Sequence, residues 1–369
     1  MYVNHSSMRT RVVVKQNMNE NYKRMPSVRL SGNDMMMIND LLRMVRLPLP
    51  LPLLLLLLLV GTTSTTHALT SHSGTVSGGA RLGLLSFDLD DTLFCTSTVV
   101  QDANDVMLQH LSHYECDTSV AEFQLTTRTI RQRLTEPITY TELRKRAICA
   151  EMERVTGQTP SHEIVDACFY AWLDERNVSA GKNLFPHTVQ SLQKILDRLP
   201  DICIGAITNG RGNPLHIDPL KHFFQFCVSG EDDDVFPARK PSPGIYKKAL
   251  EVYRHTHRHQ LDDTDSYLWI HVGDCLANDV GASAALGAYP VWYAPYHVES
   301  ERTVAMQQKS PAKQPFYSTA SQEDLQGRAR LAEAAQEKVA ARIQSFEELP
   351  DTIERILQVS TRAQTPVHH

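Results

Sequence analysis

Short apolar runs alternate with longer amphipathic stretches from residue 82 onward, and this alternation restricts the fold more than any other feature. The apolar runs are LGLLSF (82–87), ICIGAI (202–207), FCVSG (226–230), YLWIHVG (267–273) and AYPVWYA (288–294). Helical periodicity lies between them at about 187–198, 214–225, 242–254 and 279–287. Strands that alternate with helices are typical of a parallel sheet covered on both faces. The pattern therefore predicts an α/β fold with a doubly wound parallel sheet.

The segment between the first two apolar runs has a different pattern. It carries helical periodicity near 98–113, 119–135, 139–157 and 162–177, and it contains no convincing strand. Phe185-Pro186 marks the return to the sheet, because proline ends the preceding helix. We predict an all-α domain over 97–184, inserted into a core formed by 81–96 and 185–357.

Beyond Pro295 the alternation is lost. Residues 299–320 are polar, and 321–342 are rich in Ala, Glu, Gln and Arg. These stretches indicate a loop followed by an exposed helix, which together form an insertion in the core at 299–340. Ile343 and the segment 345–357 are expected to supply a last short strand and a closing helix, followed by a frayed tail over 358–369.

The first eighty residues are typical of a targeting leader followed by a linker. The uncharged run LPLPLPLLLLLLLVG (47–61) contains three prolines and falls short of the ~20 residues of a membrane span. It fits a signal-peptide core better, with Arg43 and Arg46 before it and a small-residue cleavage site near Ala68. An uncleaved signal anchor is the alternative, and a start at Met44 would make the signal compact.

The same leader has no Asp or Glu between Leu41 and Phe87, and it is rich in Ser and Thr after the leucines, which is typical of an organelle transit segment. A plain linker would have a similar composition. We therefore predict a plastid, mitochondrial or secretory location, or a cytoplasmic one if the leader is not part of the working protein. No stable membrane domain is expected after cleavage.

Charge and cysteine usage exclude several classes of protein. The chain has 37 Lys and Arg against 42 Asp and Glu, so its formal net charge of -5 does not favour nucleic-acid binding. Its 7 cysteines are widely spread without a CxxC pair, so neither a zinc site nor a disulfide framework is indicated. The sequence does not determine the oligomeric state.

Carboxylates follow two of the predicted strands. Asp88 and Asp90 come directly after LGLLSF, and they suit a nucleophile paired with a proton-transferring group. An Asp-rich turn or a helix N-cap would produce the same pair. Asp274 and Asp279 follow the strand ending in Val272-Gly273, and their oxygen atoms suit Mg²⁺.

Two further elements accompany the carboxylates. Thr208-Asn209-Gly210 ends the second predicted strand, where a hydroxyl and backbone N–H groups suit phosphate oxygens. An ordinary Asn-Gly turn without a binding role would have the same sequence. Lys240 provides a cation at the start of a predicted helix, with an ordinary surface lysine as the alternative. The acidic run Glu231–Asp234 is expected to be a solvated loop, with a second cation site as the alternative.

In their order along the chain, these elements resemble the four motifs of the haloacid dehalogenase-like hydrolase superfamily. The matching residues are Asp88, Asp90 and Thr92 in DxDxT, then Thr208, Lys240, and Asp274 and Asp279 in GDxxxxD. The resemblance covers roughly 82–298 and again 341–357. It implies a Rossmann-like core with a mobile cap between the first two motifs, and the predicted all-α domain resembles the helical cap of the C1 type.

The resemblance also implies a role for each residue. Asp88 would attack phosphorus and form an aspartyl-phosphate, while Asp90 would protonate the leaving oxygen and later act as base on water. Thr208 and the backbone N–H of Asn209 would hold the phosphoryl oxygens, and Lys240 would neutralise charge.

The same resemblance implies a bound Mg²⁺ ion. The Asp88 carboxylate, the Asp90 backbone carbonyl and Asp274 would bind it, with Asp279 in support.

The resemblance implies a phosphoric monoester hydrolase acting on a small phosphorylated metabolite. Asp90 argues against carbon–halogen chemistry, which needs no acid at that position. A phosphomutase, a sugar-phosphate or nucleotide phosphatase, and a non-catalytic binding protein are the alternatives. FDLDDTL, AITNG, KPSPGIY and HVGD also resemble the bacterial-type FMN and 5-amino-6-(5-phosphoribitylamino)uracil phosphatases. That narrower resemblance makes FMN or a riboflavin precursor the first substrate to test.

Overall fold

The computed structural model describes residues 81–257, 267–295 and 318–364. The predicted leader over 1–80, with its apolar run at 47–61, lies outside the described residues, as does most of the predicted loop at 299–320. Among the described helices, none combines the length and hydropathy needed to cross a membrane.

Six parallel strands form one sheet in the order β3-β2-β1-β4-β5-β6. The strands are β1 (Arg81–Phe87), β2 (Cys203–Thr208), β3 (Phe226–Ser229), β4 (Tyr267–Gly273), β5 (Tyr289–Tyr293) and β6 (Ala341–Ile343). The sheet with its flanking helices confirms the predicted α/β, Rossmann-like fold. β1 lies between β2 and β4, so the residues that follow these three strands emerge at one edge of the sheet.

Eight helices of 11 residues or more accompany the sheet in the described parts of the chain. They are α1 (Thr96–Ser112), α2 (Val120–Arg133), α3 (Tyr140–Thr156), α4 (His162–Lys182), α5 (Thr188–Arg198), α6 (Pro243–Thr256), α7 (Gln322–Ala335) and α8 (Leu349–Gln364). Helices α1–α4, called the helical insert below, fall between β1 and β2. Helix α7 is mostly exposed, as the sequence predicts for this segment.

Local sequence fixes several helix ends. Ser119 and Glu122 form a capping box at the start of α2, where each side chain binds the other residue's backbone N–H. Gly157 ends α3 in the left-handed conformation, with a φ of 71°, which glycine adopts without strain. Such ends can be recognised from sequence because the interactions span only a few residues.

Three predicted helical boundaries are wrong. Residues 214–225 do not form a helix, and only Pro214–His216 makes a 3₁₀ turn, because Pro219 interrupts the stretch. The 279–287 stretch is a π-helical turn, Leu276–Gly281, followed by Ala282–Ala284. The predicted tail from 358 is helical as far as Gln364, because α8 continues to bury one face that includes Ile356 and Ser360.

The hydrophobic core is divided by the sheet. Along β1, Leu85 packs with a cluster that includes Leu192 and Phe346, whereas the adjacent Leu84 packs with Tyr246 on the other face. This alternation follows from the two-residue repeat of a strand. The helical insert has a third cluster of its own, built from residues that include Met107, Phe123, Ile148, Cys168, Phe169 and Trp172.

Candidate active site

Asp88 lies where β1 leaves the sheet, and it is almost buried, with 7% of its surface exposed. Its backbone N–H donates to the Val272 carbonyl of β4 at 2.9 Å, which holds the start of the loop against the neighbouring strand. Lys240 Nζ is 2.6 Å from Asp88 Oδ1, and Thr92 Oγ1 is 3.1 Å from Asp88 Oδ2. Both carboxylate oxygens of the predicted nucleophile are therefore held in place.

Lys240 joins two of the predicted acidic residues. Its Nζ is 2.7 Å from Asp279 Oδ1 as well as close to Asp88, and the lysine is only 4% exposed. Asp279 Oδ2 accepts from the Cys275 backbone N–H at 3.0 Å, so the π-helical turn sets its orientation. Gly273 permits this approach, because a Cβ there would lie 2.4 Å from Asp279 Cγ. Lys240 is a buried ion-pair partner, and the alternative of a surface lysine is wrong.

Asn209 positions Lys240 through the backbone. Its Nδ2 donates to the Lys240 carbonyl at 3.0 Å, and its Oδ1 accepts from the Lys240 N–H at 2.7 Å. Thr208 is fully buried at the end of β2, and its hydroxyl accepts from the Gly210 N–H at 3.3 Å. The roles predicted for Thr208 and the Asn209 N–H toward phosphoryl oxygens stay predictions. No sequence signal indicates the two hydrogen bonds between the Asn209 side chain and the Lys240 backbone.

Asp274 faces Asp88 across the Thr92 hydroxyl. Thr92 Oγ1 is 3.3 Å from Asp274 Oδ1 and accepts from the Asp274 N–H at 3.1 Å. Trp292 Nε1 donates to the Asp274 carbonyl at 2.8 Å, which ties the loop after β4 to β5. Carboxylate oxygens of Asp88, Asp274 and Asp279 all lie within 4.8 Å of one another. Three of the four predicted metal ligands are thus brought together by their side chains.

A polar network lies beneath these carboxylates inside the sheet. His271 is fully buried on β4, with Nδ1 2.8 Å from Ser86 Oγ and Nε2 3.5 Å from Asp279 Oδ1. Trp269 Nε1 donates to the same Ser86 hydroxyl at 2.7 Å. Burial lowers the pKa of His271, which favours the neutral form of the ring. Sequence reasoning missed this network, because a histidine inside an apolar strand carries no recognisable signal.

The buried site holds three acidic side chains and one lysine, so its carboxylates cannot all ionise without repulsion. Burial raises the pKa of Asp88 to about 7, with Lys240 opposing the rise and Asp279 adding to it. Burial and the charges of Asp279 and Asp88 raise the pKa of Asp274 well above its usual range. Burial also disfavours ionisation of Asp279, but Lys240 and His271 outweigh it and lower the pKa of Asp279 to about 2. A divalent cation would relieve this imbalance.

Asp90 points toward the helical insert rather than toward the acidic cluster. Its Oδ1 is 2.6 Å from Arg176 Nη2 of α4 and 3.4 Å from the Thr96 hydroxyl. The carboxylate remains partly accessible, with 31% of the side chain exposed, whereas the Arg176 side chain is 4% exposed. Arg176 was missed by sequence reasoning, because nothing in its neighbourhood distinguishes it from other helix arginines.

A second contact joins the insert to the loop after β3. Glu231, 5% exposed, accepts from the backbone N–H groups of Tyr140 and Thr141 and from the Thr141 hydroxyl at the start of α3. Arg239 Nη2 donates to the Ile138 carbonyl at 3.0 Å. The prediction of a solvated acidic loop is therefore wrong for Glu231, whose charge lies at the N-terminus of a helix where a carboxylate is favourable.

Comparisons with known proteins agree with the fold described above. A family model described as haloacid dehalogenase-like hydrolase matches residues 83–287, more than half of the chain. A 2-haloacid dehalogenase from Pseudomonas syringae pv. Tomato DC3000 has a similar structure, with a TM-score of 0.50 and 21% identity over 74% of this chain and 99% of that one. At this identity the likeness shows the fold alone.

Two other solved structures have lower scores. An L-2-haloacid dehalogenase from Xanthobacter autotrophicus has a TM-score of 0.41 and 17% identity over 74% of this chain and 99% of that one. A HAD phosphatase from Thermococcus onnurineus has a TM-score of 0.38 and 15% identity over 74% of this chain and 98% of that one. No curated protein sequence matches the chain.

Proposed function

The chain belongs to the haloacid dehalogenase-like hydrolase family, and we propose that within it the protein is a Mg²⁺-dependent phosphatase. Its substrate would be a small phosphorylated metabolite, hydrolysed through an aspartyl-phosphate. The observation that carries the proposal is the position of Lys240 Nζ, 2.6 Å from Asp88 and 2.7 Å from Asp279. A buried cation beside a nucleophilic carboxylate suits the approach of an anionic phosphate.

The proposed reaction has two displacements on phosphorus. Asp88 attacks the phosphoryl group while Asp90 gives a proton to the leaving oxygen, so that an alcohol departs and an aspartyl-phosphate remains. Asp90 then takes a proton from water, and the resulting hydroxide attacks phosphorus and releases inorganic phosphate with a free Asp88. Phosphoryl transfer depends mainly on positioning and charge stabilisation. The fixed contacts of Asp88 with Lys240 and Thr92 supply that positioning.

Asp90 separates this reaction from carbon–halogen hydrolysis. A halide leaves without a proton, whereas an alkoxide leaving group requires an acid in the transition state. Asp90 is two residues from Asp88 and is partly accessible. A carboxyl group at this position therefore supports phosphate ester hydrolysis over dehalogenation.

The donor set supports Mg²⁺ as the cofactor. Mg²⁺ prefers oxygen ligands and is bound in many phosphate sites through one or two carboxylates. Asp88 and Asp274 would hold it with their carboxylates, and family resemblance adds the Asp90 backbone carbonyl. Asp279 would act in support, because its oxygens already bind Lys240 and the Cys275 N–H. When bound, the ion would neutralise negative charge on the phosphoryl oxygens.

Magnesium is expected to stabilise the fold as well as to support turnover. Adding Mg²⁺ to chelator-treated protein should raise the melting temperature, because the cation offsets repulsion between Asp88, Asp274 and Asp279. Asp274→Asn should remove most of that rise, whereas Asp218→Asn, a 90% exposed control, should keep it. Differential scanning fluorimetry across a Mg²⁺ titration measures both. An equal rise in wild type and Asp274→Asn would contradict this site.

Phosphate release from a panel of metabolites tests the proposed function. The panel includes FMN, 5-amino-6-(5-phosphoribitylamino)uracil, sugar phosphates, nucleotides and p-nitrophenyl phosphate, each with and without Mg²⁺. A parallel assay follows chloride release from 2-chloropropionate. Phosphate release that requires Mg²⁺ supports the proposal, and chloride release without phosphate release refutes it. Transfer of phosphate between positions of one sugar, without release, would identify a phosphomutase instead.

A further inference from the structure

Arg176 of α4 lies beside Asp90, the proposed proton donor. Its Nη2 binds Asp90 Oδ1 at 2.6 Å, but its buried Nη1 has no hydrogen-bond partner among the described residues. A buried donor left unpaired costs free energy. Nη1 lies against Gly212 in the loop after β2, where an added Cβ would be 2.3 Å away. An unpaired, positively charged donor is therefore held at the boundary between core and insert.

Arg144 of α3 brings a second positive charge to the same region. Its Nη1 donates to Asn104 Oδ1 at 3.0 Å, and its guanidinium carbon lies 3.8 Å from the centre of the Trp172 ring. Burial and the charge of Arg176 lower the pKa of Arg144 to about 9, while Glu231 opposes the shift. The side chain remains charged at neutral pH. Arg144 therefore stacks on Trp172, which lies one helical turn before Arg176 on α4, and the two guanidinium groups repel each other.

The nearby carboxylates are already committed to other partners. Glu231 accepts three hydrogen bonds from Tyr140 and Thr141 at the start of α3. Asp90 pairs with Arg176, but the proposed reaction requires this carboxylate at the leaving oxygen. Arg176 would then lose its only charged contact among the described residues. An anion supplied by the substrate would restore the balance.

A cleft beside Arg144 lies between the helical insert and the segment that precedes α7. The insert lines it with residues that include Asn104, Phe123, Arg128 and Arg144, and the other segment with Ser318 and Thr319. It contains hydrogen-bonding groups and one aromatic ring, which suit the body of a polar metabolite.

We propose that Arg176 and Arg144 bind a second anionic group of the substrate, apart from the phosphate that is cleaved. The substrate class is then phosphate monoesters that also carry a carboxylate or another phosphate. This inference rests on the proposed phosphatase function. A general acid lies about 3 Å from the oxygen that it protonates, so the second anion is only a few bonds from the scissile oxygen. FMN, with one phosphate and a neutral ring, becomes a poorer candidate.

Matched pairs of phosphate esters test the proposal. The full chain with Mg²⁺ is assayed on 2-phosphoglycolate against 2-hydroxyethyl phosphate, and on glucose 1,6-bisphosphate against glucose 1-phosphate. Within each pair only the second anion differs substantially. We expect kcat/KM at least tenfold higher for the doubly anionic member of one pair, because charge-assisted bonds to arginine are about twice as strong as neutral ones. Equal values within both pairs would overturn the proposal.

Substitutions of Arg144 test whether this residue causes the preference for doubly anionic esters. In Arg144→Gln, the kcat/KM of the doubly anionic ester divided by that of its matched partner should fall close to one. Arg144→Lys keeps the positive charge and should retain part of the wild-type preference. Arg146→Gln, on the same helix but half-exposed and paired with Glu142, is the matched control and should retain the ratio. Loss of activity by the same factor for both members of the pair would show that Arg144 acts only on folding or closure.

Binding of inert analogues separates this inference from the proposed function. 3-Phosphonopropionate and 3-hydroxypropylphosphonate replace the ester oxygen by carbon, and calorimetry measures their affinities without turnover. Tighter binding of the carboxylate, lost in Arg144→Gln, would support the second anion site even if no ester is hydrolysed. Conversely, Mg²⁺-dependent hydrolysis with equal affinity for both analogues would leave the phosphatase proposal intact and refute the arginine site.

Discussion

Asp88→Asn should reduce phosphate release by at least about 10³-fold, because the amide cannot form the aspartyl-phosphate. The same substitution should leave the folded state as stable as the wild type or make it more stable. Burial holds the pKa of Asp88 at about 7, above its usual 3.8, so the folded state binds the proton more tightly than the unfolded chain. Ionising Asp88 therefore costs stability as pH rises from about 4 to 7, and the neutral amide avoids this cost.

The two effects can be measured on one preparation. Phosphate release at saturating substrate with Mg²⁺ gives the rate, and the melting temperature at pH 8 in chelator gives the stability. We expect the variant to melt at the wild-type temperature or higher, while Asp218→Asn, on an exposed aspartate, changes neither quantity. Residual turnover above about one part in a hundred would contradict the nucleophile assignment. Asp88→Ala should behave in the same way and excludes deamidation as a source of activity.

Lys240→Met should destabilise the fold by about 3–5 kcal/mol, because it leaves buried carboxylates without their cation. Lys240 Nζ is within 2.7 Å of both Asp88 and Asp279, and both neighbours are buried. Methionine preserves the length and apolar stem of lysine, so the lost charge dominates the effect. Turnover should fall as well, because the phosphate would meet Asp88 without a neutralising charge.

Urea denaturation in the absence of Mg²⁺ measures this loss. Lys248→Met is the matched control, because Lys248 lies on the neighbouring α6 and pairs with exposed Asp234 and Glu251. Exposed ion pairs contribute little, so the control midpoint should barely move. Similar midpoints for the two variants would mean that Lys240 does not hold the acidic site together. The double variant Lys240→Met/Asp279→Asn should recover part of the lost stability.

The two variants together separate chemistry from architecture. Asp88 is expected to matter for turnover and to cost stability, whereas Lys240 matters for both. A residue that only supports folding would lower the melting temperature and leave the kinetic constants of the surviving protein unchanged. The comparison therefore distinguishes a group that reacts from a group that holds the reacting groups.

Local patterns made much of the fold predictable. The mainly apolar runs before Asp88 and Asp274 predict strands, because a buried parallel strand has this composition. The apolar residues at 214–225 fit a helical repeat, so the pattern predicts a helix that does not form. Leu220, Phe223 and Phe224 are indeed buried, but Pro219 keeps the backbone in turns.

Patterns between neighbours along the chain were enough to predict most of the strands and helices and the residue types at the strand ends. The polar contacts between distant residues could be seen only once the chain was folded. Arg176 reaches Asp90 across 86 residues, and Lys240 reaches Asp88 across 152. The contacts of His271 with Ser86 and of Glu231 with Thr141 have the same origin. Such contacts depend on helix packing and strand order, and the local sequence around either partner shows no pattern that indicates them.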